Sequence, residues 1–248
     1  MARQDRRIVL VTGASRGIGA EVAAQFGDAG AHVVVNYREK HKRAQDVADG
    51  IVAAGGSASV LGADVSDPEA VESMVEAIGR LDVLVLNASG GLERDADAGY
   101  ALRLNRDAQV NLATSMLPLM PVGGRIVFVT SHQAHFFRDK GDVPQGYAPI
   151  AASKRAGEDA LRELAPEFHA RGVGFTVVSG DMIDGTIIVR LLERRDPSSV
   201  ESRREAGPLP TVEEFARVIV RAATVDAAPG QTFYVGGDDY LAVTDASR

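Results

Sequence analysis

Seven short aliphatic, β-branched runs separated by stretches of helical periodicity constrain this chain more than any other feature. They fall at residues 8–11, 32–36, 59–62, 83–86, 125–129, 174–178 and 232–235. Runs this short that stay largely apolar belong to strands buried on both faces, with the intervening helices covering a parallel sheet from either side. The expected architecture is a doubly wound α/β domain of about seven strands. Helix signals agree with it. Asp67 stands as N-cap before Pro68, and Val71, Met74, Val75 and Ile78 then share one face. Thr211 and Glu214 form a capping box ahead of Phe215, Val218 and Ile219.

No repeat or low-complexity linker divides the 248 residues, so a single domain over 1–248 is expected. A chain of this length buries a sufficient core unaided. The alternation breaks at residues 181–210, where Ile187, Ile188, Leu191 and Leu192 precede a charged stretch containing Ser and Pro. An insertion there reads either as a lid over the site or as a surface excursion with a short amphipathic helix.

Composition narrows the function. There is no cysteine, which excludes disulfides, zinc-thiolate sites, Fe–S clusters and thiol nucleophiles. The formal net charge of −7 argues against a nucleic-acid surface, which needs clustered Lys and Arg. No apolar segment reaches the length of a signal-peptide core or a membrane span, so no membrane partner and a cytoplasmic location are expected. Only four lysines occur, Lys40, Lys42, Lys140 and Lys154, which makes a lysine inside a motif conspicuous.

The first strand runs into Thr12-Gly13-Ala14-Ser15-Arg16-Gly17-Ile18-Gly19, and a helical pattern follows. Glycines there let the backbone turn sharply and approach a diphosphate, while the helix N-terminus presents N–H groups to its charge. Strand before and helix after make this a Rossmann-type dinucleotide loop rather than a chance glycine triplet. At the end of the second strand an acidic residue would grip the ribose 2′-hydroxyl of NAD; the chain has Asn36-Tyr37-Arg38 instead. Arg16 and Arg38 together suit a 2′-phosphate, so NADP(H) is the expected cofactor, with a solvated helix start the other reading of Arg38.

The spacing Thr-Gly-x3-Gly-x-Gly from Thr12 to Gly19 resembles the short-chain dehydrogenase/reductase family, and the resemblance covers nearly the whole chain. It implies that Asp64 and Val65 contact adenine, that Asn87, Ala88 and Ser89 line the cofactor after the fourth strand, and that backbone near Ile183 holds the nicotinamide carboxamide. It also implies a small-molecule substrate and a homo-oligomer, dimer or tetramer. Ser131 matches the position of the family's active-site serine, and Asn105 that of its active-site asparagine.

The family's Tyr-x3-Lys is where the chain departs. Four residues before Lys154 stands Ile150, which has no proton to give, and the nearest tyrosine is Tyr147. Offsets of four and seven return to roughly the same helix face, about 4.5 Å apart along the axis, although Pro149 suggests that Tyr147 precedes the helix proper. The Tyr-x6-Lys spacing resembles the enoyl-acyl-carrier-protein reductases of the same superfamily. A displaced phenol suits the reduction of a 2-enoyl thioester, where charge develops on an oxygen two atoms beyond the hydride-accepting carbon. Ser179-Gly180 in place of the family's Pro-Gly points the same way.

The resemblance then assigns catalysis to Tyr147 as proton donor, to Lys154 as ribose-binding cation that lowers the phenol pKa, and to Ser131 and Asn105 as support. Three functions stay open: reduction of a conjugated enoyl thioester, 3-oxoacyl or other carbonyl reduction with Tyr147 folded back, and NADP(H) binding without catalysis. His132, His135, Asp139 and Asp142 match no firm metal pattern, so no metal is expected; a histidine as substitute proton donor is the other reading of that cluster.

Overall fold

The computed structural model describes residues 6–91, 99–140, 143 and 146–238, with only the backbone of 139 and 140. Its seven strands are β1 (Ile8–Val11), β2 (His32–Tyr37), β3 (Ser57–Gly62), β4 (Val83–Leu86), β5 (Arg125–Ser131), β6 (Gly174–Gly180) and β7 (Gln231–Val235). They form one parallel sheet in the order β3-β2-β1-β4-β5-β6-β7. The helices are α1 (Gly17–Asp28), α2 (His41–Ala53), α3 (Pro68–Ile78), α4 (Tyr100–Leu102), α5 (Ala108–Met116), α6 (His132–His135), α7 (Phe137–Lys140), α8 (Ala148–Ala170), α9 (Ile187–Arg195), α10 (Pro197–Ala206) and α11 (Val212–Ala222).

Period-two geometry explains why the strands read as continuous apolar runs. Val9, Val11, Val83 and Val85 enter one core with Val22 and Phe26 of α1 and Phe215 and Ile219 of α11. Their neighbours Leu10, Leu84 and Leu86 enter the other, with Met74 of α3, Leu112 of α5 and Leu161 and Phe168 of α8. Burial on both faces favours apolar residues at every position.

Several strands extend beyond those runs. β5 and β6 continue through Thr130 opposite Ser179 and Ser131 opposite Gly180, because each strand supplies hydrogen bonds to the other even where the side chains are not strand formers. This extension carries Ser131 and Ser179 to the carboxyl end of the sheet.

Both cap readings hold: Asp67 accepts from the Glu69 N–H, and Thr211 and Glu214 make the full capping box. The strand order reverses between β1 and β4, so the loops after these two strands diverge and leave a crevice at the carboxyl edge. Residues 181–210 fold into α9 and α10, which enclose a small core of Met182, Val189, Leu192 and Val200. The Arg203–Asp181 ion pair ties α10 to the end of β6.

Candidate active site

The loops after β1 and β4 meet at the crevice. The Thr12 hydroxyl accepts the N–H groups of Asn87 and Ala88, both at 2.9 Å, and the Asn87 side-chain amide donates to the Thr12 carbonyl at 2.9 Å. Gly13 and Gly17 lie at positive φ, 63° and 54°. A Cβ on Gly13 would stand 3.1 Å from the Ala88 Cα, and one on Gly19 would stand 2.6 Å from the Gly13 carbonyl, so the glycines let two loops and a helix close together. Gly17 faces open space. Arg16 is the N-cap of α1 and makes no side-chain cap bond, so the first turn of a twelve-residue helix aims its N–H groups and positive dipole end into the crevice. A dinucleotide diphosphate fits such a cradle. Ser15 and Ile18 flank it, both partly buried.

Asn36 departs from its expected role. It is buried at 2 % exposure, accepts from the Gly13 N–H at 3.3 Å and donates to the carbonyls of Leu61 and Ala63 at 3.1 and 3.2 Å. Both of its amide N–H groups and one lone pair of Oδ1 are used in bracing the glycine loop, so it acts as a structural support there. Arg38 is exposed, as a phosphate ligand must be, and reaches Tyr100 and Glu39. The Asp64 carboxylate accepts from the backbone N–H and the hydroxyl of Ser66, which fixes the turn into α3, and Val65 is buried behind it. Ser89 is exposed beside Asn87 and Ala88. Ile183 is buried, and its carbonyl accepts from the Thr186 hydroxyl at 2.8 Å.

At the chemical end, the Tyr147 hydroxyl lies 3.3 Å from the Ser131 Oγ. Ser131 is the N-cap of α6 but makes no cap bond with its side chain, which leaves the hydroxyl to point at the phenol. Tyr147 is the N-cap of α8, with Pro149 in the first turn, and its φ of −91° and ψ of −17° are already helical. From there its ring reaches the end of β5. Ile150 is buried in the helix beside Tyr147, Ala134 and Ala151. Burial pushes the phenol above its ordinary pKa, and the Ser131 hydrogen bond only partly offsets it. Lys154 contributes nothing to this shift, so the lowering expected from it is not seen. Lys154, partly buried, is pulled from 10.5 to about 8 by desolvation, against the opposing pull of Glu158.

Asn105 sits in a π-helical turn, Arg103–Asp107, inserted between α4 and α5. Its amide donates to the Gly90 carbonyl and to Ser153 on α8, both at 2.9 Å, so it ties the loop after β4 to the helix that carries Lys154. Gly157 permits this approach: a Cβ there would lie 2.1 Å from the Asn105 carbonyl.

The two histidines after Ser131 are committed elsewhere. His132 is fully buried between Ser179 Oγ, 2.8 Å from Nδ1, and the Gly236 carbonyl, 2.9 Å from Nε2. The serine that replaces the family's proline thus pairs with a histidine. His135 lies between Glu158 and Tyr234. Occupied on both ring nitrogens, neither is placed to donate a proton to substrate. Among the described residues no cluster of three or more His, Asp or Glu could hold a metal; Asp142 and the side chain of Asp139 lie outside them. Sequence reasoning missed Ser153, Gly157, Glu158 and Ser179 as site supports. For Glu158 the signal was available, a carboxylate one helical turn after the motif lysine.

A parallel doubly wound sheet with a glycine-lined helix N-terminus at its switch point, and a Ser–Tyr pair at the same edge, defines a dinucleotide-binding architecture. The chain matches the short chain dehydrogenase family over residues 7–196 and belongs to it. A versicolorin reductase of Emericella nidulans is 38% identical over 173 residues, 66% of this chain and 64% of that protein. A 1-cyclohexenylcarbonyl-CoA reductase of Streptomyces collinus is 34% identical over 191 residues, 72% of this chain and 65% of the relative. The chain therefore spans just under two thirds of the length of these curated relatives. The crystal structure of the angucycline C-6 ketoreductase LanV with bound NADP superposes with a TM-score of 0.78 at 27% identity, covering 93% of this chain and 95% of that one. No helix among the described residues is long and apolar enough to cross a membrane.

Proposed function

We propose that this chain is an NADP(H)-dependent reductase that acts on the carbonyl group of a small organic molecule. The observation that carries the choice of carbonyl is the 3.3 Å approach of the Tyr147 hydroxyl to Ser131. In ketone reduction the carbon that accepts hydride is bonded to the oxygen that accepts the proton, so two hydroxyls must converge on one oxygen close to the nicotinamide. Tyr147 makes this approach from the start of α8, despite its longer spacing from Lys154.

The residues present fit the cofactor. Gly13, Ser15, Arg16, Gly17, Ile18 and Gly19 hold the diphosphate, Arg16 and Arg38 the 2′-phosphate, and Asp64 and Val65 the adenine. Asn87, Ala88 and Ser89 border it, Lys154 holds the nicotinamide ribose, and backbone at Ile183 meets the carboxamide. When bound, NADPH supplies the hydride. Tyr147 donates its phenolic proton to the substrate oxygen, and its raised pKa keeps that proton in place at neutral pH. Ser131 shares the hydrogen bond to that oxygen. Asn105 anchors α8 so that Lys154 and Tyr147 keep their distance from the glycine loop. Helices α9 and α10 close over the substrate as a lid.

Enoyl thioester reduction is the second reading, supported by the Tyr-x6-Lys spacing and by the likeness to a reductase of 1-cyclohexenylcarbonyl-CoA. The test is NADPH oxidation, followed at the nicotinamide absorbance, with acetoacetyl thioester and cyclic aromatic ketones against crotonyl thioester. Turnover of the ketones alone supports carbonyl reduction. Turnover of the enoyl substrate alone overturns it, and binding of NADPH with no turnover across the panel points to a binding protein.

A further inference from the structure

Lys154 occupies an unfavourable place for a cation, and the proposed function needs it charged. One helical turn further along α8, Glu158 is completely buried. Residues at i and i+4 lie on the same helix face with Cβ atoms about 6 Å apart. A buried carboxylate stays ionised only when its oxygens are paired, and Glu158 is well supplied. His135 Nδ1 stands 2.8 Å from Oε1 and 2.9 Å from Oε2, and Arg162 Nε donates to Oε1 at 2.9 Å. Because a carboxylate only accepts, Nδ1 of His135 carries the proton, and its Nε2 faces the Tyr234 hydroxyl at 3.1 Å. Arg162 is locked in turn on the Gly230 carbonyl and the Thr232 hydroxyl, at 2.6 and 2.7 Å.

We propose that Glu158 is a positioning residue whose buried negative charge, held in place by His135 and Arg162, keeps Lys154 in the cationic form that the cofactor site requires. This gives the reading of Lys154 as ribose ligand its physical support and rests on that reading for its functional meaning.

Arg155 bonds the His135 carbonyl and Asp159, at 2.6 and 2.8 Å, and its guanidinium also stands 4.0 Å from Glu158 Oε1, as a further cation on that carboxylate. Arg106 and Asp107, from the π turn packed against α8, pair with each other at 2.6 Å. Tyr147, at the start of α8, is neutral. Burial pushes the Glu158 carboxyl up, but the His135 and Arg162 contacts bring it below its ordinary value, so it is anionic throughout the working range.

The test reads the lysine directly and needs no substrate. With four lysines in the chain, 13Cε resonances of isotope-labelled lysine separate readily, and Lys154→Arg identifies the one that disappears. In the native protein the Lys154 signal should titrate near pH 8. Glu158→Gln should lower that midpoint by roughly one to two pH units, the Coulomb interaction of two unit charges separated by about 6 to 12 Å at an effective dielectric constant of about 20. Glu158→Asp, which keeps the charge, should recover most of the difference. A midpoint moved by less than about half a pH unit in Glu158→Gln overturns the proposal. If that variant fails to fold because Arg162 is left unpaired, Glu158→Gln with Arg162→Met removes one charge of each sign, so the midpoint should fall by less, and a midpoint that does not fall overturns the proposal. A shifted midpoint with no turnover on any substrate would leave this inference standing while the proposed reaction fails.

Discussion

Replacing Lys154 by methionine should make the protein more stable while removing its function. The lysine titrates near 8 in the folded chain against an ordinary 10.5, because partial burial disfavours the ammonium. At about 1.4 kcal/mol for each pH unit, that displacement amounts to about 3 to 4 kcal/mol. The sign follows from proton binding. Below pH 8 folded and unfolded chains are both protonated, so the whole penalty is present. Between 8 and 10.5 the unfolded chain holds a proton that the folded chain has lost, so stability rises with pH; above 10.5 both are neutral and the penalty has gone. Lys154→Met should therefore be stabilised by about 3 to 4 kcal/mol at pH 7, or roughly 6–16 °C in Tm for a domain of this size, with the advantage vanishing toward pH 10.5. Urea unfolding followed by circular dichroism at pH 7 and at pH 10.5 measures it in a chain with no tryptophan. Equal stability of the two proteins at pH 7, or a difference independent of pH, would refute the claim that desolvation dominates the lysine.

Other consequences can be checked with single variants. Tyr147→Phe should cut kcat by about 10²- to 10⁴-fold while leaving the NADPH Kd nearly unchanged; retained turnover would move proton donation elsewhere. The rate of reduction should fall as pH rises through about 8, where Lys154 loses its charge, and not at the higher pKa of the buried phenol. Arg38→Asp should reverse the preference for NADPH over NADH in steady-state kinetics, because a carboxylate repels the 2′-phosphate and accepts from a 2′-hydroxyl; an unchanged ratio would leave the discrimination to Arg16. Gly157→Ala should destabilise the fold by about 1–3 kcal/mol in urea, since its Cβ would meet the Asn105 backbone carbonyl at 2.1 Å and backbone yields little.

The parts legible from the chain alone are those with short-range causes. Apolar runs appear wherever a strand is covered on both faces, so all seven strands could be placed, and their ends were misjudged where a partner's hydrogen bonds carried Tyr37, Ser57, Ala58, Thr130, Ser131, Ser179, Gly180 and Gln231 into the ladder. The caps at Asp67 and Thr211 involve residues two or three positions apart and follow from local geometry. The glycine loop is similarly local, because a sharp turn into a helix start demands glycine whatever surrounds it.

The residues misread are those whose partners arrive from afar. Asn36 stands at the end of a strand where a ribose ligand is expected, yet Gly13, Leu61 and Ala63 engage its amide. His132 and Ser179 meet across 47 residues, a pairing no spacing rule supplies. For Tyr147 the spacing from Lys154 left the placement of the phenol open, and it is the packing of α8 against the end of β5 that brings the ring to Ser131. Local sequence thus decides which backbone shapes form, since those depend on dihedral preference and near-neighbour hydrogen bonds. The donors and charges that converge on one point are decided by packing of distant elements, because a hydrogen bond of about 3 Å depends on where whole helices and strands come to rest.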